Sequence, residues 1–275
     1  MEVRRVARSG QIRAVGRELL PPIACLLAIG ALWLAGPDTV ELATRAALHG
    51  LCAQRPSHSF WLGPYRLPFD ARMTGIYAGS LFTVAWLAWR ARYAAQSPSR
   101  WTIGALSVGV LWLALDGTNA LAQDLGLPTL YAPHNGLRYV TGAWTGVSLG
   151  TLLWWIFVST TWYPACRTHR PVVRPLLDLP VLAGSVAAFG WLVRSGPVLA
   201  YPLVAVGLLV AAVVTLGLLA WPFVLVATGR LERSSTGAEL RRPALLAGLA
   251  AVAVMAATST LRYAAESVLG LPPLS

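Results

Sequence analysis

VLAYPLVAVGLLVAAVVTLGLLAWPFVLVA, residues 198–227, runs for thirty positions without an Asp, Glu, Lys, Arg or His. As a helix rising 1.5 Å per residue it would be about 45 Å long, more than the roughly 30 Å hydrocarbon core of a bilayer. Its backbone polar groups would all be satisfied internally, which is the condition for crossing lipid. The run therefore predicts a transmembrane helix, and the rest of the chain reads in the same way. Apolar blocks recur at 19–36, 73–94, 101–122, 139–163, 176–194 and 243–265. Hydrophobic residues make up 56% of the 275 and charged residues 12%, half the roughly 25% of a soluble domain. The expectation is an all-α fold, a polytopic transmembrane helix bundle of about seven spans.

Within it, residues 1–18 read as a basic tail and 19–175 as a membrane bundle with an external loop at 37–72. Residues 176–275 read as C-terminal helices that complete the bundle. Asp178, Pro180 and Arg194 make 176–194 the least regular span. The loop joins an amphipathic stretch, Asp38 to Leu51, to a turn-rich piece with Pro56, Gly63, Pro64 and Pro68, and is expected to lie on the membrane surface.

All 22 basic residues are arginine, and net charge is +11. They fall in short clusters between apolar blocks rather than on one polar face, which points to anionic lipid and away from nucleic acid. With the N-terminus in the cytoplasm, fifteen arginines flank the cytoplasmic ends of the spans and seven the outer ends. That asymmetry predicts the orientation. Trp61, Trp101, Trp144, Trp162 and Trp191 sit near span ends as interfacial anchors. Gly75/Gly79 and Gly142/Gly146/Gly150 are spaced for close helix packing. Cys25, Cys52 and Cys166 fall in three different settings, with no evident disulfide among them.

One group of motifs stands apart: Cys52-Ala53-Gln54-Arg55-Pro56 with Ser59-Phe60, then Leu67-Pro68-Phe69-Asp70-Ala71-Arg72-Met73-Thr74-Gly75-Ile76-Tyr77-Ala78-Gly79, then Asp116-Gly117 and Arg138-Tyr139-Val140-Thr141-Gly142. Over roughly residues 49–155 this resembles the bacterial membrane family called domain of unknown function 2085. The resemblance implies an architecture and a bacterial plasma membrane setting, without a reaction. Where the family pattern has three cysteines, this chain keeps Cys52 and has Asp70 and Met73 at the other two positions, with Ala53 in place of a histidine.

Two clusters are chemically informative. Asp116 lies within a span, where a carboxylate at the bilayer centre costs at least about 2.5 kcal/mol, so it must face the interior and have a partner. The topology offers Arg72 or Arg138 from neighbouring spans, and the pair reads first as a structural lock. Alternatively Arg72, Asp116, Asn119 and Arg138, with Gln54 and Arg55 from the loop, line an outward-facing polar pocket suited to a phosphate or carboxylate. The second cluster, His49, Cys52, His58, Asp70 and Met73, collects possible metal ligands around the external loop, though soft Cys and Met and harder His and Asp suit no single metal. No cofactor is strongly implied. The sequence lacks a phosphate-binding Gly-Lys-Ser/Thr loop, a Gly-x-Ser-x-Gly elbow and a His-Glu-x-x-His helix, and shows no inverted repeat of interrupted spans. The leading expectation is a non-catalytic accessory or assembly subunit packed against other membrane subunits. The alternative is a transporter or enzyme handling a small anionic molecule or lipid headgroup.

Overall fold

The computed structural model describes residue 31 and residues 35–270. Most of the predicted 19–36 span, the N-terminal arginines and Cys25 lie outside the described residues. Within them the chain forms seven helices: α1 (35–48), α2 (Ala71–Arg90), α3 (Arg100–Asp124), α4 (Asn135–Thr161), α5 (Pro175–Ser195), α6 (Tyr201–Ala227) and α7 (Arg241–Leu269). Two small sheets join them. β1 (Ser59–Leu62) and β2 (Tyr65–Asp70) form an antiparallel hairpin, and β3 (Ala94–Gln96) pairs in parallel with β4 (Thr168–Pro171).

Five of the helical segments are long and apolar enough to cross a membrane: α3, α4, α5, Val198–Ala227 and Gly237–Leu269. Despite Pro180, α5 is an unbroken helix of 21 residues. α2 is long enough but less apolar, and its surroundings explain why. Its buried residues include Thr74, Gly75, Ala78, Gly79, Ser80 and Thr83, small or hydroxyl-bearing side chains suited to contact with other helices rather than lipid. With α4 it forms the middle of the bundle, touching α4, α5 and α6 along its length.

Connections gather at two ends. One end, here the motif end, brings together the hairpin, the α3–α4 loop, the α5–α6 turn and the end of α7. Arg55–Asp124, Tyr201 to the Arg66 carbonyl, and His49–Glu266 tie these pieces to one another. At the opposite end, the arginine end, β3 meets β4 and Trp162 bridges to Ser234. Segment 37–72 packs as a cap on the motif end of the bundle. Leu48, Leu67 and Phe69 are fully buried in it and share a core cluster with Tyr139, Tyr201 and Leu208.

The α2–α4 seam is set by glycine. A methyl group added at Gly75, Gly79, Gly142 or Gly146 would run into the backbone carbonyls of Tyr139, Ala143, Arg72 or Ile76 on the facing helix. The two backbones therefore touch directly. Gly79→Ala or Gly146→Ala should destabilise the protein by about 1–3 kcal/mol through overpacking. Gly104→Ala on α3, where a methyl meets open space, should be neutral or gain up to about 1 kcal/mol in helix propensity. Denaturant titration of the three variants in detergent checks the contrast, and equal effects at all three positions would refute the backbone contact.

Candidate functional site

The site is assembled where the hairpin runs into α2. Leu62 pairs with Tyr65 across a two-residue turn in which Gly63 takes a positive φ of 62°, and the returning strand ends at Asp70. The Asp70 carboxylate accepts the Met73 backbone N–H at 2.8 Å, capping α2. Starting the helix there places Arg72 on its first turn, directed at α3. Its Nη2 donates to Oδ2 of Asp116 at 2.5 Å, and the Tyr131 hydroxyl donates to Oδ1 at 3.0 Å. Asp116 is fully buried with both oxygens bonded.

Arg72, not Arg138, is therefore the partner of Asp116. Helical side chains lean toward the N-terminus. Arg138 accordingly folds back on its own helix and donates to Asn135 Oδ1 at 3.0 Å. Asn135 in turn donates to the Ser57 and Ser59 carbonyls, tying α4 to the hairpin. Asn119 serves the loop: its amide donates to the Tyr131 carbonyl and its oxygen accepts from the Leu130 N–H, positioning the tyrosine over Asp116.

A cleft of about 200 Å³ opens beside these groups, lined by Arg55, Arg72, Arg138, His58, Asp70 and Asp124. Asp116 lies outside that lining, beneath Arg72. Arg55 is paired with Asp124 at 2.5 Å. Burial, reinforced by Arg138, pushes the His58 pKa below its ordinary value, so the ring is neutral at pH 7. Gln54 does not reach the cleft. Its buried side chain donates to the Arg45 and Pro68 carbonyls, and its backbone takes a φ of 54°. It fastens the loop to α1 and the hairpin.

The five possible metal ligands go separate ways, and among the described residues no three His, Cys, Asp or Glu side chains are placed to hold a metal. His49 bonds Glu266 at 2.8 Å and stacks on Tyr263. His58 lines the cleft, Asp70 caps α2, and Met73 packs against the core. Cys52 accepts the Gln54 and Asp70 backbone N–H groups. Its burial, with Asp70 close by, pushes its pKa up to about 12, so it is a thiol rather than a reactive thiolate.

Sequence reasoning missed the polar chemistry of the C-terminal third. Arg262 on α7 donates to the carbonyls of His49 (2.5 Å), Cys52 and Ala53 while bonding Glu266 at 2.8 Å, so α7 clamps the motif loop. The available signal was Arg262 and Glu266, four apart at the end of an apolar run. Asp178 was missed as well. Rather than weakening its span, it is fully buried and accepts from Arg90 (2.5 Å), the Trp86 indole (2.9 Å) and the Arg174 backbone.

The hairpin, α2, Asp116-Gly117 and the opening of α4 thus meet in one place. Residues 52–152 match the family described as "Predicted membrane protein (DUF2085)". The matched region starts at Cys52 and takes in the hairpin, α2, α3 and most of α4, the elements that build the cluster, while α5 to α7 lie outside it. The description assigns no activity. No curated protein and no solved structure gave a match.

Asp116→Leu leaves the Arg72 charge without its carboxylate. The expected loss of stability is about 3 kcal/mol, the low end for a broken buried pair because a quarter of the Arg72 side chain is exposed. Adding Arg72→Leu to that variant should restore much of the loss. Thermal unfolding of both variants in detergent decides it, and an Asp116→Leu protein as stable as the wild type would remove the lock.

Proposed function

We propose that the chain is a non-catalytic component of the bacterial plasma membrane, an accessory or assembly subunit packed against other membrane subunits. The observation that carries this reading is the sealing of Asp116. The one carboxylate deep in α3 has both oxygens bonded and no exposed surface, so a substrate has no access to it without displacing Arg72 or Tyr131. Around it, Arg55, Arg72 and Arg138 are matched by Asp70, Asp116 and Asp124, a self-neutralising set that joins the hairpin, α2, α3 and α4. Such a set suits a register lock better than a reaction centre.

Charge distribution supports an orientation with the arginine end in the cytoplasm. Among the described residues that end holds ten arginines against three carboxylates, while the motif end holds seven against six. The excess resists translocation and attracts anionic lipid. The N-terminus and its five further arginines would lie on the same, cytoplasmic side.

A second reading, transport or conversion of a small anionic molecule or lipid headgroup, draws on one observation: Arg138 is buried beside the cleft and donates a hydrogen bond to neutral Asn135. The balance of the surrounding charges ranks it below the subunit role.

Gentle detergent extraction from the native membrane, followed by identification of copurifying proteins, tests the proposal. A partner recovered in fixed proportion, and lost together with the chain's own accumulation in Asp116→Leu, is expected. A chain that purifies alone and binds millimolar phosphate or carboxylate anions dependent on Arg138 would favour the second reading instead.

A further inference from the structure

The arginine end contains a second cavity of different chemistry. It has a volume of about 300 Å³ and lies between the end of α2 and the β3–β4 ribbon. Arg90, Arg92, Arg170 and Arg174 line it, with Trp89 and Tyr93. No carboxylate is in the lining, in contrast to the cleft at the motif end, where Asp70 and Asp124 stand among the arginines.

Arg90 is already neutralised. It donates to Asp178 and to the Val172 carbonyl at 2.6 Å, which fixes the junction from β4 into α5 at the edge of the cavity. Asp178 is fully buried and engaged at both oxygens, one taking the Trp86 indole and the other Arg90 and the Arg174 backbone N–H, and it forms no ion pair with the Arg170 or Arg174 side chain. The side chains of Arg170 and Arg174 consequently carry uncompensated charge, both exposed and without an ion pair among the described residues. Arg92 is held with its guanidinium carbon 5.8 Å from the ring centres of Tyr93 and Trp162, which orients its stem.

Backbone acceptors along the same segment are also occupied. The carbonyls of Ala91, Arg92 and Ala95 accept the indole N–H groups of Trp154, Trp162 and Trp155, and the Tyr93 carbonyl accepts from the Thr168 backbone. The strand therefore has few free acceptors to repel an anion, and the wall of the cavity is dominated by donors. Trp89 projects from the last turn of α2, mostly exposed, where an interfacial tryptophan marks the level of lipid headgroups.

We infer that this cavity, built on Arg92, Arg170 and Arg174, binds a phosphate oxyanion of the kind carried by an anionic phospholipid headgroup. Guanidinium forks match phosphate oxygens in pairs, and basic pockets between membrane helices are suited to such headgroups. The site is independent of the subunit role, since it shares no residue with the Asp116 cluster.

The test uses the full chain purified in a neutral detergent. Binding is read as the rise in melting midpoint, and as retained lipid by native mass spectrometry, on titration with phosphatidylglycerol, phosphatidylcholine or inorganic phosphate. Phosphatidylglycerol should bind and phosphatidylcholine should not. Arg170→Gln/Arg174→Gln should weaken phosphatidylglycerol binding roughly 30-fold, taking the usual value of a juxtamembrane arginine for each. Arg92→Gln should weaken it as well. Arg241→Gln/Arg242→Gln, at the same end but outside the cavity, should leave it within about twofold. All of these side chains are exposed, so the variants keep the fold. A response to inorganic phosphate equal to that for the lipid would assign the site to soluble phosphate, and a response to the lipid alone would assign it to a headgroup. Undiminished binding in Arg170→Gln/Arg174→Gln, an equal loss in Arg241→Gln/Arg242→Gln, equal binding of phosphatidylcholine, or no binding of any of the three would overturn the inference.

Discussion

The backbone contact between α2 and α4 is the constraint on which the rest of the bundle depends. Once Gly75 and Gly79 abut Tyr139 and Ala143 across the seam, α2 is enclosed and its other faces must be satisfied by protein. They are satisfied in order along the helix. Arg72 near its start pairs with Asp116 on α3, Ser80 at its middle accepts from Thr215 on α6, and Arg90 at its last position pairs with Asp178 on α5. In lipid there is no hydrophobic drive between helices, so close packing and polar pairs of this kind must supply the association. The small and hydroxyl-bearing residues that lower the apolarity of α2 lie on the faces it packs against other helices.

The two ion pairs leave the two ends in different electrostatic states. At the motif end, arginines and carboxylates nearly cancel, and Arg262 and Glu266 on α7 lock the Cys52 loop into the same network. At the arginine end one pair is satisfied and the surplus remains, collected around β3, β4 and the start of α5. The proposed structural role for the first and the proposed anion-binding role for the second both rest on this difference in charge.

Hydropathy made the spans legible because a helix in lipid must be apolar over its length, and Arg100–Asp124 and Asn135–Thr161 fall within four residues of the boundaries read from composition. Asp116 was legible as a group that needs a partner, since the cost of an isolated carboxylate is independent of context. Which arginine served it was not, because the choice turns on side-chain direction. Arg72 projects across to α3 while Arg138 folds back along α4. Gln54 looked like a pocket residue from its place in the motif. It is a loop fastener, because its backbone conformation turns the amide inward toward the Arg45 and Pro68 carbonyls. Asp178 and Arg262 were illegible for a common reason. Each is matched by a group about ninety or two hundred residues away, Arg90 in one case and the carbonyls of the 49–53 loop in the other, and periodicity does not register so distant a contact.

The enclosure of α2 is tested most directly by a double-mutant cycle on Arg90 and Asp178, at the end of the helix remote from the glycine seam. Stability in detergent is measured for Arg90→Leu, Asp178→Leu and the two together. The account predicts that each single change is strongly destabilising and that the double variant loses far less than their sum, with a coupling of at least about 1 kcal/mol. Effects that add to within about 0.5 kcal/mol would mean that the pair does not hold α2 to α5, and would contradict the enclosed helix on which the architecture rests.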